Sequence, residues 1–459
     1  MNLLEPQIPH SKRLIDSLYI NGVAVDLSET GCGKTYVATS IAKTMNVPIV
    51  VICPKAVIPA WHKVLKEANV LHLAQQSNNC YRIINYEKLV RGNTIYMTYQ
   101  RTNFVNKKNW QSNGIDLHFP SDCLVILDEV HKCKGYSSLN SNLLIALKNA
   151  NYKLLMMSAS AATNPLEMRA FGYATCLHNG ENYREWSGAH ADTSIGVMGT
   201  VYNIQSPRSQ EGMRRIHAKL FDEHNMASRL TRLEMRAMFP DNRVLAECFD
   251  MGSNTGKIQA VYEQMEAEIA RLDERSKDYS GHVFAQLVKA RRLAEVLKVP
   301  TMVDMVEDMY REGMSSVVFV NYVETIEALT KRLTKITDKV GYIVGGQTTK
   351  RRQSYIDGFQ CDDLRIMLVN QSAGNAGIGL HDLHGKHARG AILNPSFSAI
   401  NLLQSLGRIH RANGKTPCIQ KIVFAANTIE ERCCAKVQAK LDNLDCLNDG
   451  DLIGDVKIW

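Results

Sequence analysis

The chain has 459 residues, 45% of them hydrophobic and 22% charged, and its 54 basic against 46 acidic side chains give a formal net charge of +8. That length exceeds one ordinary core and suits two domains of about 150 to 250 residues each. The basic excess fits a partner with a phosphate backbone, and a mildly basic enzyme without such a partner fits it equally. The twelve cysteines are scattered without a C-x-x-C pair, which excludes a disulfide scaffold or a zinc finger and indicates reduced thiols inside a cell. Met1 to His10 lacks the apolar run of a signal peptide, and no stretch approaches the ~20 apolar residues of a membrane span. A soluble, intracellular protein is expected.

In the first half, Val23–Leu27, Pro48–Cys53, Tyr81–Ile84, Cys123–Leu127 and Lys153–Met157 read as buried strands. Thr35–Met45, Val57–Ala68 and Leu139–Asn149 between them carry helical spacing. Strands that are apolar throughout and alternate with helices predict a parallel sheet covered on both faces. The pattern returns with strands at Ser316–Val320, Gly341–Val344, Ile366–Val369, Gly390–Leu393 and Ile419–Phe424. Helices are predicted there at Val323–Leu333, Ala399–His410 and Thr428–Leu441. From about Gly212 to Glu312 the pattern is helical and charged, as in Met265–Arg275 and Phe284–Leu297, and Gly252–Gly256 is a plausible boundary. The expected fold is α/β, with two tandem parallel-sheet lobes: residues 1–250 first, then 251–459, the latter including a helical linker over about 251–312. Two irregular insertions, 91–122 and 179–210, have no assigned role.

Ser28-Glu29-Thr30-Gly31-Cys32-Gly33-Lys34-Thr35 follows a predicted strand and opens a predicted helix. That context suits a phosphate-binding loop. Gly31 and Gly33 let the backbone bend around Cys32 so that N–H groups converge on phosphate oxygens, and the helix start adds partial positive charge. Lys34 would reach the β and γ phosphates and Thr35 would hold Mg²⁺. Ser28 stands where the strict pattern has a glycine, so a glycine-rich strand-to-helix turn is the alternative at this point. The run Leu124–Leu127 ends in Asp128 and Glu129, two carboxylates at the end of a strand. Asp128 would bind Mg²⁺ through water and Glu129 would orient or deprotonate an attacking water; an acidic cap on the next helix is the other reading. Gln404-Ser405-Leu406-Gly407-Arg408-Ile409-His410-Arg411 lies on a predicted helix, which puts Arg408 and Arg411 on one face. Two guanidiniums there suit a γ-phosphate whose charge spreads in the transition state, and an exposed basic helix end is the bland alternative.

In order, Gln7, Gly31–Thr35, Asp128-Glu129-Val130-His131, Ser158-Ala159-Ser160 and Gln404…Arg408…Arg411 resemble the superfamily 2 helicases. Closer likeness to the Swi/Snf-type ATPases lies in Val50–Lys55 with Trp61, Ile84–Leu89, Asp128–Lys134, Arg229–Leu245, Gly345–Phe359, Ala373–Gly377 and Thr428–Glu431. The resemblance runs from about Leu4 to Leu441 and is greatest to the compact annealing-helicase branch and its minimal viral and phage members. Ser160 and Ala161 depart from the family's Thr-Pro, and Gly407 stands where that type often has Asp.

The resemblance implies ATP and Mg²⁺ in a cleft between the lobes, with Gln7 reading adenine and Gln404 also at the nucleotide. Lys34, Asp128, Glu129, Arg408 and Arg411 would be catalytic, and Ser158, Ser160 and Gly374–Gly377 would link ATP to the nucleic-acid track. It implies a nucleic-acid partner with DNA favoured over RNA, no membrane, and host cytoplasm or nucleus for a viral protein. A strand-separating helicase and a non-catalytic nucleic-acid scaffold are the rivals; intact Lys34, Asp128, Glu129, Arg408 and Arg411 argue against the scaffold. Two weaker features are a possible metal triplet at His381, His384 and His387, and a possible strand contact at Lys107–Trp110.

Overall fold

A computed structural model of the chain describes residues 2–77, 80–91, 94–99, 115–135, 138–159, 164–196, 199–202, 206–272, 279–374, 378–395, 399–439 and 441. Ser160, Lys107–Trp110, residues 375–377 and most of the 91–122 insertion lie outside them. The chain divides into two compact units, Met1–Met235 and Arg236–Trp459.

The first unit is built on six parallel strands: β1 (Val23–Asp26), β2 (Ile49–Cys53), β3 (Ile83–Asn85), β4 (Leu124–Asp128), β5 (Lys153–Met157) and β6 (Ala227–Ser228), in the spatial order β6-β1-β5-β4-β2-β3. Its helices are α1 (Gln7–Ile20), α2 (Lys34–Met45), α3 (Ile58–Glu67), α4 (Tyr86–Val90), α5 (Leu139–Asn149), α6 (Arg169–Ala174), α7 (Tyr183–Ala189) and α8 (Pro207–Ala218). Successive strand residues point to opposite faces. Val50 and Ile52 therefore join a core with Leu143, Leu144 and Leu147 of α5, while Ile49, Val51 and Cys53 join one with Leu14, Ile41 and Trp61 of α1, α2 and α3. Both faces are covered, and so the strands read as unbroken apolar runs.

The second unit repeats the plan with β7 (Asn242–Phe249), β8 (Ser315–Val320), β9 (Val340–Ile343), β10 (Ile366–Asn370), β11 (Arg389–Leu393) and β12 (Cys418–Ala425), in the parallel order β7-β12-β11-β8-β10-β9. Its helices are α9 (Thr255–Ala270), α10 (Tyr279–Leu297), α11 (Val299–Arg311), α12 (Val323–Leu333), α13 (Thr349–Gln360), α14 (Gln371–Gly374), α15 (Ala399–Leu406) and α16 (Glu430–Gln438).

One expectation changes here. The boundary falls between Met235 and Arg236, ahead of the expected 250/251, because β7 pairs along its whole length with β12 of the second sheet. The helical stretch after it is part of that unit: Ile258, Tyr262, Leu287, Met302 and Val306 share a core with Val318, Leu368 and Ile392 of the sheet. Beneath them Lys298 is buried and ion-paired to Glu430, whose other carboxylate oxygen accepts from the Tyr262 hydroxyl at 2.7 Å. The Lys298 ammonium also donates to Asn394 Oδ1 at 3.1 Å, at the end of β11.

Candidate phosphate-binding site

The candidate phosphate loop runs from the end of β1 to the start of α2. Gly31 has φ 90° and Gly33 has φ 82°, left-handed values that a side chain at either position would strain. Gly33 directly precedes α2, and Lys34 and Thr35 occupy that helix's first turn, where unpaired N–H groups and the helix dipole favour an anion. The Lys34 ammonium donates to the carbonyls of Ser28 at 2.6 Å and Glu29 at 3.1 Å, so the loop's own backbone holds it. Cys32 is buried, and burial pushes its thiol up to about 12, which makes it a small packing residue rather than a nucleophile.

Gln7 opens α1 and is buried against this loop. Its Nε2 donates to Cys32 O at 2.8 Å, its Oε1 accepts from the Leu4 N–H at 2.9 Å, and a Cβ on Gly33 would stand 2.6 Å from Nε2. The far side of the loop is held by residues that the sequence did not single out for this. Arg232 donates to Thr30 Oγ1 at 2.7 Å, and Glu29 accepts from Arg229 at 3.2 Å and from the Arg232 N–H at 3.0 Å.

Asp128 ends β4 and is half-buried. Its Oδ2 accepts from the Trp61 indole N–H at 2.9 Å, and its backbone carbonyl accepts from the Tyr86 hydroxyl at 3.0 Å. Burial, with the Glu129 charge adding, pushes the Asp128 carboxyl up to about 7; the Trp61 hydrogen bond and the Lys34 charge oppose this. The chain then turns sharply: Glu129 has φ 58° and ψ 53°, a left-handed conformation uncommon for a residue with a side chain and of the strained kind found at functional sites. Its Oε2 lies 3.2 Å from His131 Nδ1, which is 3.1 Å from Ser158 Oγ at the end of β5. Thr35 and Asp128 offer hard oxygen donors, the type that Mg²⁺ takes.

In the second unit, α15 ends at Leu406, so Arg408 and Arg411 do not share a helix face. Gly407 and Arg408 instead form a turn closed by Arg408 N–H to Ser405 O at 3.0 Å, and the Arg408 carbonyl accepts from the Leu380 N–H at 2.8 Å. Arg408 is buried; Arg411 is partly buried and donates to the carbonyls of Gly407 at 3.2 Å and Ile378 at 2.8 Å. Gln404 is buried on α15. His387 bonds the Gly313 carbonyl, and among the described residues no three His, Cys, Asp or Glu side chains gather as a metal site.

Two parallel-sheet units, the first with a candidate phosphate loop and an acidic strand end on one sheet, have the organisation of a helicase-like ATPase. Residues 2–162 match the family described as type III restriction enzyme, res subunit, and residues 297–413 match the helicase conserved C-terminal domain. A protein of Acanthamoeba polyphaga mimivirus, provisionally named an ATP-dependent RNA helicase, is 29% identical over 97% of this chain and 83% of its own length. The chromatin remodeling factor mit1 of Schizosaccharomyces pombe is 20% identical over 92% of the chain, which spans 31% of that protein. Over nearly its whole length the chain is thus similar to superfamily 2 helicase-like proteins, Swi/Snf-type members among them. Among solved structures it is similar to the Sulfolobus solfataricus SWI2/SNF2 ATPase core in complex with dsDNA, with a TM-score of 0.38 at 17% identity over 98% of this chain and 94% of that one. It is also similar to S. cerevisiae Dbp5 bound to RNA and ADP BeF3, with a TM-score of 0.48 at 12% identity over 95% and 86%. Among the described residues no helix is long and apolar enough to cross a membrane.

Proposed function

We propose that this helicase-like ATPase is stimulated by DNA and couples Mg²⁺-dependent hydrolysis to translocation on, or remodelling of, the duplex. The observation that carries the ATPase reading is the joint presence, at the carboxyl ends of strands in one parallel sheet, of the Gly31–Thr35 loop and the half-buried Asp128 with Glu129. Such strand ends are where open α/β sheets bind ligands. In this reading Gly31, Cys32, Gly33, Lys34 and Thr35 cradle the phosphates, Thr35 and Asp128 hold Mg²⁺, and Glu129 orients the attacking water. Gln7 and Gln404 contact the nucleotide. Arg408 and Arg411 stabilise the transferring phosphate, and the turn that carries them in place of a helix leaves their reach to the backbone between Gly407 and Arg411.

Duplex DNA is favoured over RNA because Cys53-Pro54…Trp61 and Arg229–Leu245 resemble segments of duplex translocases, and one relative is named a chromatin remodeling factor. The viral relative's name favours RNA. The test is the ATPase rate with single-stranded, duplex and forked DNA and RNA, alongside displacement of a third strand from a triplex. The proposal predicts stimulation by duplex DNA without sequence preference, triplex displacement, and log affinity falling with log salt at a slope of about −0.9 per neutralised phosphate. Stimulation by RNA alone overturns the choice of track; fork unwinding without triplex displacement overturns the choice of output.

A further inference from the structure

His10 lies one turn after Gln7 on α1, so both side chains leave the same helix face. It is 2% exposed and reaches three places at once. Its Nε2 is 3.2 Å from Asp26 Oδ1 and 3.2 Å from Ser28 Oγ, and its Nδ1 is 2.7 Å from Ser228 Oγ on β6. Asp26 is the last residue of β1 and Ser28 the first of the phosphate loop. The Asp26 carboxylate also accepts the Ser28 N–H at 2.9 Å, and Ser28 Oγ accepts the Leu230 N–H at 3.0 Å. Burial alone would raise the Asp26 carboxyl, but hydrogen bonding and charge from His10, then the charge of Lys34 and the Ser28 bond, hold it below its ordinary value.

One turn of α1 therefore grips the phosphate loop at both ends, Gln7 at the Cys32 carbonyl and His10 at Ser28, whose own carbonyl holds Lys34. Removing the imidazole would strand the Asp26 carboxylate in the protein interior and free Ser28 from α1, although no atom of His10 need touch the nucleotide. We propose that His10, anchored by Asp26 and Ser228, is a positioning residue that sets the shape of the phosphate loop for nucleotide binding. The inference rests on reading Gly31–Thr35 as that loop.

The test uses the full chain and titrates a fluorescent ATP analogue, with KM and kcat from steady-state hydrolysis and thermal unfolding alongside. His10→Ala should weaken ATP affinity and raise KM by about tenfold, the effect of one lost buried hydrogen bond, with kcat within about twofold. His10→Gln carries an amide near the Nε2 position and should recover most of the affinity; Ser228→Ala removes only the Nδ1 contact and should fall between. Should His10→Ala fail to fold, His10→Gln and Ser228→Ala measured against wild type carry the test. Wild-type affinity in His10→Ala overturns the proposal. So does a loss that tracks the unfolding temperature and is not recovered by Gln, since that is a purely structural role. Lys34→Ala separates the two levels: if it keeps normal ATP affinity and turnover the phosphate-loop reading fails, whereas an inactive Lys34→Ala beside a normal His10→Ala removes only this inference.

Discussion

The indole N–H of Trp61 donates to Oδ2 of Asp128 at 2.9 Å, tying α3 to the end of β4. Trp61 is 1% exposed and packs among Val37, Ile41 and Ile126, so its ring serves the core while its one polar atom holds a carboxylate. Trp61→Phe keeps most of that packing and leaves a half-buried carboxyl oxygen without its donor. It should cost about 1.5–3 kcal/mol, as for a lost hydrogen bond to a charged group, measured by urea unfolding. An unchanged midpoint would show that the bond contributes nothing to stability.

Lys34→Ala and Glu129→Gln should each lower ATP turnover by orders of magnitude, about 10² or more, with far-ultraviolet circular dichroism unchanged. Neither side chain packs in a core, so loss of fold would contradict the site as much as retained activity would.

Arg411→Ala should lower kcat by about 10³ if this guanidinium meets the transferring phosphate, with a smaller change in ATP affinity. Here the side chain is bonded to the Gly407 and Ile378 carbonyls, so that role requires it to exchange those partners for phosphate oxygens. Large loss of affinity with normal turnover would place Arg411 at the ground state instead.

Lys298→Met should destabilise the second unit by about 3–5 kcal/mol near neutral pH, because Glu430 is then a buried charge without its partner. In the native pair, burial opposes ionisation of Glu430, while Lys298 and the hydrogen bonds from Tyr262 and Ala425 hold its pKa below the ordinary 4.5. A depressed carboxyl pKa stabilises above the unfolded value and loses that contribution as pH falls through the folded one. Wild type should therefore weaken below about pH 4.5, and the deficit of Lys298→Met should narrow there as Glu430 takes up a proton. A deficit independent of pH in thermal melts would mean that the ion pair is not its source.

The sheets were legible wherever a strand is covered on both faces. Lys153–Met157 was read to the residue, since four consecutive buried apolar positions have few other uses; Val340–Ile343, an edge strand half-exposed at Val340 and Tyr342, was read within one residue all the same. The strand Asn242–Phe249 was not read as one, because on an edge only Ala246 is fully buried and its residues alternate with Arg243, Glu247 and other polar side chains. Ala227–Ser228 is too short to carry a pattern. The helix expected over Ala399–His410 stops at Leu406, where apolar spacing continues through Ile409 but Gly407 and the turn bond to Ser405 end it. At the site, the loop and the acidic pair were legible because their chemistry is local. His10 and Asp26, and what Trp61 and Arg232 hold, became visible only through contacts between elements far apart in the chain, which no spacing encodes.

Cys32, closed inside the phosphate loop with its thiol pushed up to about 12, is shielded from thiol-directed reagents. Among the described residues Cys176, Cys248 and Cys361 are exposed, the first in one compact unit and the other two in the second. With Cys248 replaced by serine, maleimide dyes on Cys176 and Cys361 would leave the loop untouched and turn the protein into its own energy-transfer ruler, able to follow the separation of the units as nucleotide is added and consumed.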